Sequence, residues 1–192
     1  MNRRELLTLG MGSAAVAIMP AGAAEKAQLH LADLEPDPLW SIYRRYNLIV
    51  VGQRDDEIGS AIAKAVVDAL ARFLEGSRAI LGRAVDARRV GVLIATEQQD
   101  VAIIQMGSAE ALFLGKPPFD DIRSVPLRVL LSLGSYVLVC RRDFLDRHAY
   151  LLVKTLAENS GVLPTPISSP QGLVPTHDGA RAFFAGEEMP DP

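Results

Sequence analysis

Apolar positions along the chain change period in a regular rhythm from Asn47 to Ser108. Asn47-Leu48-Ile49-Val50-Val51 is a β-branched run without alternation, as expected for a strand covered on both faces. Asp55 or Asp56 can cap the helix that follows, which sets Ile58, Ile62, Ala65, Val66, Ala69 and Phe73 on one face. Lys64, Asp68 and Arg72 recur at i, i+4 on the other face, and Gly76 is expected to end the helix. Ala79-Ile80-Leu81 reads as a short strand. Asp86 then caps a helix with Val90, Leu93 and Ile94 on its apolar side, and Val101 to Ile104 reads as the third strand. Strands alternating with helices of this length predict right-handed βαβ crossovers and a mostly parallel sheet flanked by helices.

Beyond Leu114 the rhythm changes. Gly115-Lys116-Pro117-Pro118-Phe119-Asp120-Asp121 is a loop. Leu127–Leu131 and Tyr136–Cys140 are strand-like, separated by Ser132-Leu133-Gly134-Ser135. A helix starting at Asp143 or Asp146 turns Ala149, Leu152, Val153 and Leu156 inward. Gly161 to Pro175 has no period and several prolines, so an extended connector is expected before a short helix ending in Phe183-Phe184.

The amino terminus changes the picture of where this domain works. Arg3-Arg4-Glu5-Leu6-Leu7 opens an apolar stretch from Leu6 to Ile18, and small residues lead to Ala21-Gly22-Ala23. About 13 apolar residues are too few to cross a bilayer of ~30 Å, so a signal peptide cleaved near Ala23 is expected. The paired arginines indicate Tat export to the periplasm, with the general secretory route as the alternative. On this reading residues 1–23 are the signal, 24–46 a lead-in bearing Trp40, Tyr43 and Tyr46, and 47–192 a single α/β lobe. The three aromatics are expected to cover the edge of the sheet.

Composition narrows the function. Without Arg3, Arg4 and Glu5, the 20 basic and 23 acidic residues become 18 and 22, a net charge of −4. Nothing in that balance favours nucleic acid or an anionic membrane as a partner. The single cysteine, Cys140, excludes an internal disulfide and lies in the apolar run Val137-Leu138-Val139-Cys140, where a buried core thiol is expected.

No catalytic constellation stands out. His30, His148 and His177 are far apart in sequence, and no metal-ligand spacing or phosphate-binding glycine loop occurs. His148 is expected in solvent, and His177 is expected to order the terminal turn. Gly107-Ser108 lacks the nucleophile-elbow pattern, which makes Ser108 a helix cap or a ligand contact. The chain is therefore read as a binding protein, not an enzyme, with no cofactor and no metal. An apolar strand running into Gln105-Met106-Gly107-Ser108 presents polar groups at the edge where open α/β sheets take ligands.

Three segments carry a family resemblance. Ala87 to Gln105 resembles a helix and a strand ending Asp-Leu-Ala-Ile-Val-Gln. Leu138-Val139-Cys140-Arg141-Arg142-Asp143 is similar to a strand ending Val-Val-Arg-Lys-Asp. Pro175-Thr176-His177-Asp178-Gly179-Ala180, with Phe183-Phe184, is similar to Pro-x-His-Pro-Gly-Ala followed by paired aromatics. In this order, after an export signal, they resemble the TAXI branch of TRAP-transporter solute receptors, which have the type 2 periplasmic-binding-protein fold. The resemblance implies capture of a small carboxylate-bearing solute at the strand edge, by Gln53, Arg54, Gln105 and Ser108, for membrane transporter subunits.

Two departures shape that expectation. In place of the family's glycine-rich anion loop stands Gly52-Gln53-Arg54-Asp55-Asp56-Glu57, whose carboxylates satisfy the helix amides internally and oppose an anion. Arg54 is expected either to pair a solute carboxylate or to pair Asp56 or Glu57. The strand at Tyr136–Cys140 also runs into the next helix with no room for a second lobe of ~100 residues. A single lobe leaves hinge closure without its second jaw, so a second function is kept open. It is a degenerate lobe acting as a periplasmic interaction or accessory module, with a homodimer or a partner protein over the uncovered edge.

Overall fold

The computed structural model describes residues 47–190 except 123, so the export signal, His30, Trp40, Tyr43 and Tyr46 lie outside the described residues. The chain folds as an α/β unit in the order β1 (Ile49–Gln53), α1 (Glu57–Phe73), β2 (Ile80–Ala84), α2 (Ala87–Ala95), β3 (Val101–Gln105) and α3 (Met106–Leu114). Then follow β4 (Leu127–Leu133), β5 (Tyr136–Arg141), α4 (Asp146–Glu158), β6 (Ile167–Ser168) and α5 (Asp178–Ala185).

The six strands form one sheet in the order β2-β1-β3-β5-β4-β6. β1 pairs in parallel with β2 and β3, whereas β3–β5, β5–β4 and β4–β6 are antiparallel. Two antiparallel steps restore β4 to the original direction, so four of the six strands run the same way. The parallel half is the βαβαβ unit that the alternating pattern predicts; the antiparallel half is the β4–β5 hairpin laid against β3.

The unalternating apolar strands are explained by a sheet covered on both faces. Along β3, Val101 and Ile103 join a core with Ile62, Val66 and Leu70 of α1 and Leu152, Val153 and Leu156 of α4. Ala102 and Ile104 join the opposite core, with Val90 and Ile94 of α2, Leu112 of α3 and Phe119 from the following loop. Cys140 is buried in the first core, where loss of solvent pushes its thiol well above the usual range.

Several boundaries differ from the sequence reading. β1 begins two residues later than Asn47, and α1 ends at Phe73, with Gly76 inside a short 3-10 turn, Glu75–Ser77. The buried stripe of α1 runs through Gly59, Ile62, Ala63, Val66, Val67, Ala69 and Leu70, and Ile58 and Phe73 at its ends are exposed. They share the helical period but overhang the sheet. β4 extends to Leu133, leaving Gly134 and Ser135 as a tight turn, with Gly134 at φ 65°. The connector after Gly161 also covers a sheet edge. Ile167 and Ser168 pair with Leu133 and Ser132, and farther along Val129 donates to Pro175 O while His177 N donates back to Val129 O.

Candidate functional site

β1, β3 and the start of β5 meet at one edge of the sheet, beside the first turn of α1. Asp56 is the N-cap of α1, in extended backbone, and its Oδ1 accepts from the Gly59 amide at 2.9 Å. The Tyr136 hydroxyl lies 2.8 Å from both carboxylate oxygens of Asp56. Gln105 Nε2 adds a longer, 3.5 Å contact to Oδ2. Gln105 and Tyr136 are direct partners across β3 and β5, so the strand register delivers both to the same carboxylate. Gly59 is required here by close approach, because a Cβ would lie 2.9 Å from both Asp56 Oδ2 and a Tyr136 ring carbon.

Tyr136 is 4% exposed. Burial first, and then its hydrogen bond to Asp56, raise the phenol above its ordinary value near 10. At neutral pH Tyr136 is therefore a fixed donor, and Asp56 is an acceptor whose oxygens already face three protein donors. The arrangement suits holding and orienting a polar ligand group.

The four residues singled out from sequence are placed differently from one another. Gln105 belongs to the cluster. Gln53, at the end of β1, is only 6% exposed and by strand alternation shares the face of Val51, opposite the face of Gln105. Arg54 is exposed, its backbone amide donates to Ala84 O, and among the described residues it forms no ion pair with Asp56 or Glu57. Asp56 is turned to Tyr136 instead. Ser108 is not a cap. β3 passes into α3 without a loop, Gln105 takes the N-cap position, and Ser108 is half-buried in the first turn. Met106 N donates instead to Ser135 O of the β4–β5 turn.

Tyr136 was missed as a site residue because its role depends on register: the sequence shows only the first residue of an apolar strand. Around this edge stand three exposed apolar side chains, Ile58 (64%), Val85 (55%) and Leu173 (63%). Val85 is tied to the start of α1 through Asp55 N, and Leu173 N donates to Glu110 Oε1 of α3.

The two histidines in the described region lie elsewhere. His148 is exposed and packs against Phe144. His177, the buried N-cap of α5, accepts from Gly179 N through Nδ1 and so donates from Nε2 to Phe144 O. Among the described residues no group of three or more His, Cys, Asp or Glu is placed to hold a metal ion, and no helix is long and apolar enough to cross a membrane. No protein-family model matches the chain, and a search of curated proteins finds no match.

Proposed function

We propose that the chain is a solute receptor of the TRAP type, in the TAXI branch, exported to the periplasm and reduced to one α/β lobe. It captures a small carboxylate-bearing solute at the edge where β1, β3 and β5 meet α1. The observation that carries this reading is the convergence of Gln105 and Tyr136, from two neighbouring strands, on the cap of α1. It is a polar, internally braced junction at the position where an open α/β sheet takes ligands.

The geometry divides the work at this edge. Asp56 fills the helix start that would otherwise receive an anion, so a solute carboxylate is held by the guanidinium of Arg54, which forms no ion pair among the described residues, and not by helix amides. Gln105 supplies an amide that can turn from its long contact with Asp56 to the solute. Gln53, facing the other side of the sheet, supports the strand end, and Ser108 flanks the edge from α3. Titration of carboxylate solutes into the mature protein and into an Arg54→Ala variant tests the reading.

A second reading rests on the exposed Ile58, Val85 and Leu173 around the same edge. Apolar side chains gathered beside a polar junction suit a protein partner or a second copy of the chain, in an accessory module without solute capture. Sedimentation of the mature protein, alone and with its transporter subunits, distinguishes the two.

A further inference from the structure

A cleft of about 1020 Å³ opens at the amino-terminal ends of β1 and β3, between the end of α1 and the start of α4. It lies at the end of the strands opposite the Asp56 junction. Its volume is at the upper limit of the ~300–1,000 Å³ of small-molecule sites. Leu48, Leu74, Phe144, Leu145 and Leu151 give it apolar walls.

One polar group on the lining lacks a partner. Ser77 closes the short 3-10 turn after α1, where its backbone is held on both sides: its amide donates to Leu74 O and its carbonyl accepts from Leu48 N. Its hydroxyl, by contrast, is buried with no hydrogen-bond partner among the described residues. A buried hydroxyl without a partner is costly, and a ligand acceptor would offset that cost. The hydroxyl moves on a single torsion, χ1, between staggered positions, so it can donate into the cleft while the backbone stays fixed.

Charge then selects the kind of ligand. Among the described residues no Lys or Arg lines the cleft, and its two carboxylates, Asp100 and Asp143, both pair with Arg141. His148, the other titratable side chain on the lining, is exposed and packs against Phe144. The walls therefore favour a neutral molecule over the carboxylate solute of the other edge.

We propose that this cleft is a second binding site, for a neutral molecule with an apolar body and a carbonyl, in the class of aryl esters and amides. Ser77 Oγ donates to the carbonyl, and the body packs between Leu74, Phe144 and Leu145. The site lies apart from the Asp56 edge and does not rest on the receptor reading.

Titration of the mature protein with N-butylbenzamide, followed by backbone amide NMR shifts, should saturate and should move Leu74, Ser77 and Leu145 more than Gln105 or Tyr136. 4-Butylbenzoate, of similar size but anionic, should bind several-fold more weakly. Ser77→Ala should weaken the amide about two- to tenfold, the loss of one neutral hydrogen bond. Leu145→Glu, at a wall position 61% exposed, should weaken it several-fold with far-UV circular dichroism unchanged. In the ligand-free protein, Ser77→Ala should not lower the midpoint of urea unfolding, because the hydroxyl it removes has no partner in the fold. Absence of saturable amide binding, equal binding of the carboxylate, or binding indifferent to either variant would overturn the proposal. A lowered unfolding midpoint in Ser77→Ala would do the same, since it would mean the hydroxyl is already engaged.

Discussion

Tyr136 and Asp56, eighty residues apart in the chain, are joined by a hydroxyl 2.8 Å from each carboxylate oxygen. The contact fastens the start of β5 to the start of α1, and so couples the antiparallel half of the sheet to the parallel half. Tyr136→Phe keeps the ring in the core and removes only this bond. A loss near the lower end of the ~1.5–3 kcal/mol for hydrogen bonds to charged groups is expected in urea denaturation, because Asp56 is only half-buried.

The same pair gives a pH dependence with a fixed sign. The folded phenol titrates above its ordinary value near 10, so its contribution to stability is complete below that pH and is lost as pH rises through the folded value. Chemical denaturation of the wild type and Tyr136→Phe should show a stability gap that is constant at neutral pH and shrinks from about pH 10 upward. A gap that widens with alkali would mean the phenol is not held protonated by burial and Asp56.

Gly179→Ala should be among the most damaging single changes. A Cβ there would lie 2.0 Å from Asp146 O, a backbone atom at the start of α4 that cannot swing away. Separation of α4 from α5 would also break the His177 contact to Phe144 O. The expected loss exceeds about 3 kcal/mol, which belongs to changes that force backbone apart. A thermal midpoint within a degree of wild type would contradict the tight α4–α5 junction.

Ile103→Ala probes the centre of the sheet. Ile103 is 1% exposed, in the strand flanked by β1 and β5, and packs in the core shared by α1 and α4. The range for such truncations is about 2–5 kcal/mol. A loss below about 0.5 kcal/mol in chemical denaturation would mean that β3 is not a central strand.

Much of the fold is legible in the sequence because β1, β3 and β5 are apolar on both faces and α1 and α2 carry clear caps. Asp56 and Asp86 both accept from the amide three residues on, as their positions before apolar-periodic segments predict. What was hidden depends on pairing. β6 and the Pro175–His177 segment bond to β4 through backbone alone, and backbone pairing leaves no side-chain period to read. The site was half legible for a similar reason. Gln105 stands out as the polar end of an apolar strand, but Tyr136 becomes a site residue only once antiparallel register sets it opposite Gln105. Gln53 and Gln105 look equivalent in sequence, yet alternation sends them to opposite faces.

The central claim is that Arg54 holds a solute carboxylate beside the Asp56–Tyr136–Gln105 junction. Calorimetric titration of the mature protein with C4 dicarboxylates and amino acids, repeated on Arg54→Ala, tests it most directly. A charge-assisted contact of roughly 1.5–3 kcal/mol predicts that at least one carboxylate binds and that Arg54→Ala weakens it about ten- to a hundredfold, with stability unchanged. No measurable binding across the panel, or binding that Arg54→Ala leaves untouched, would contradict the receptor reading.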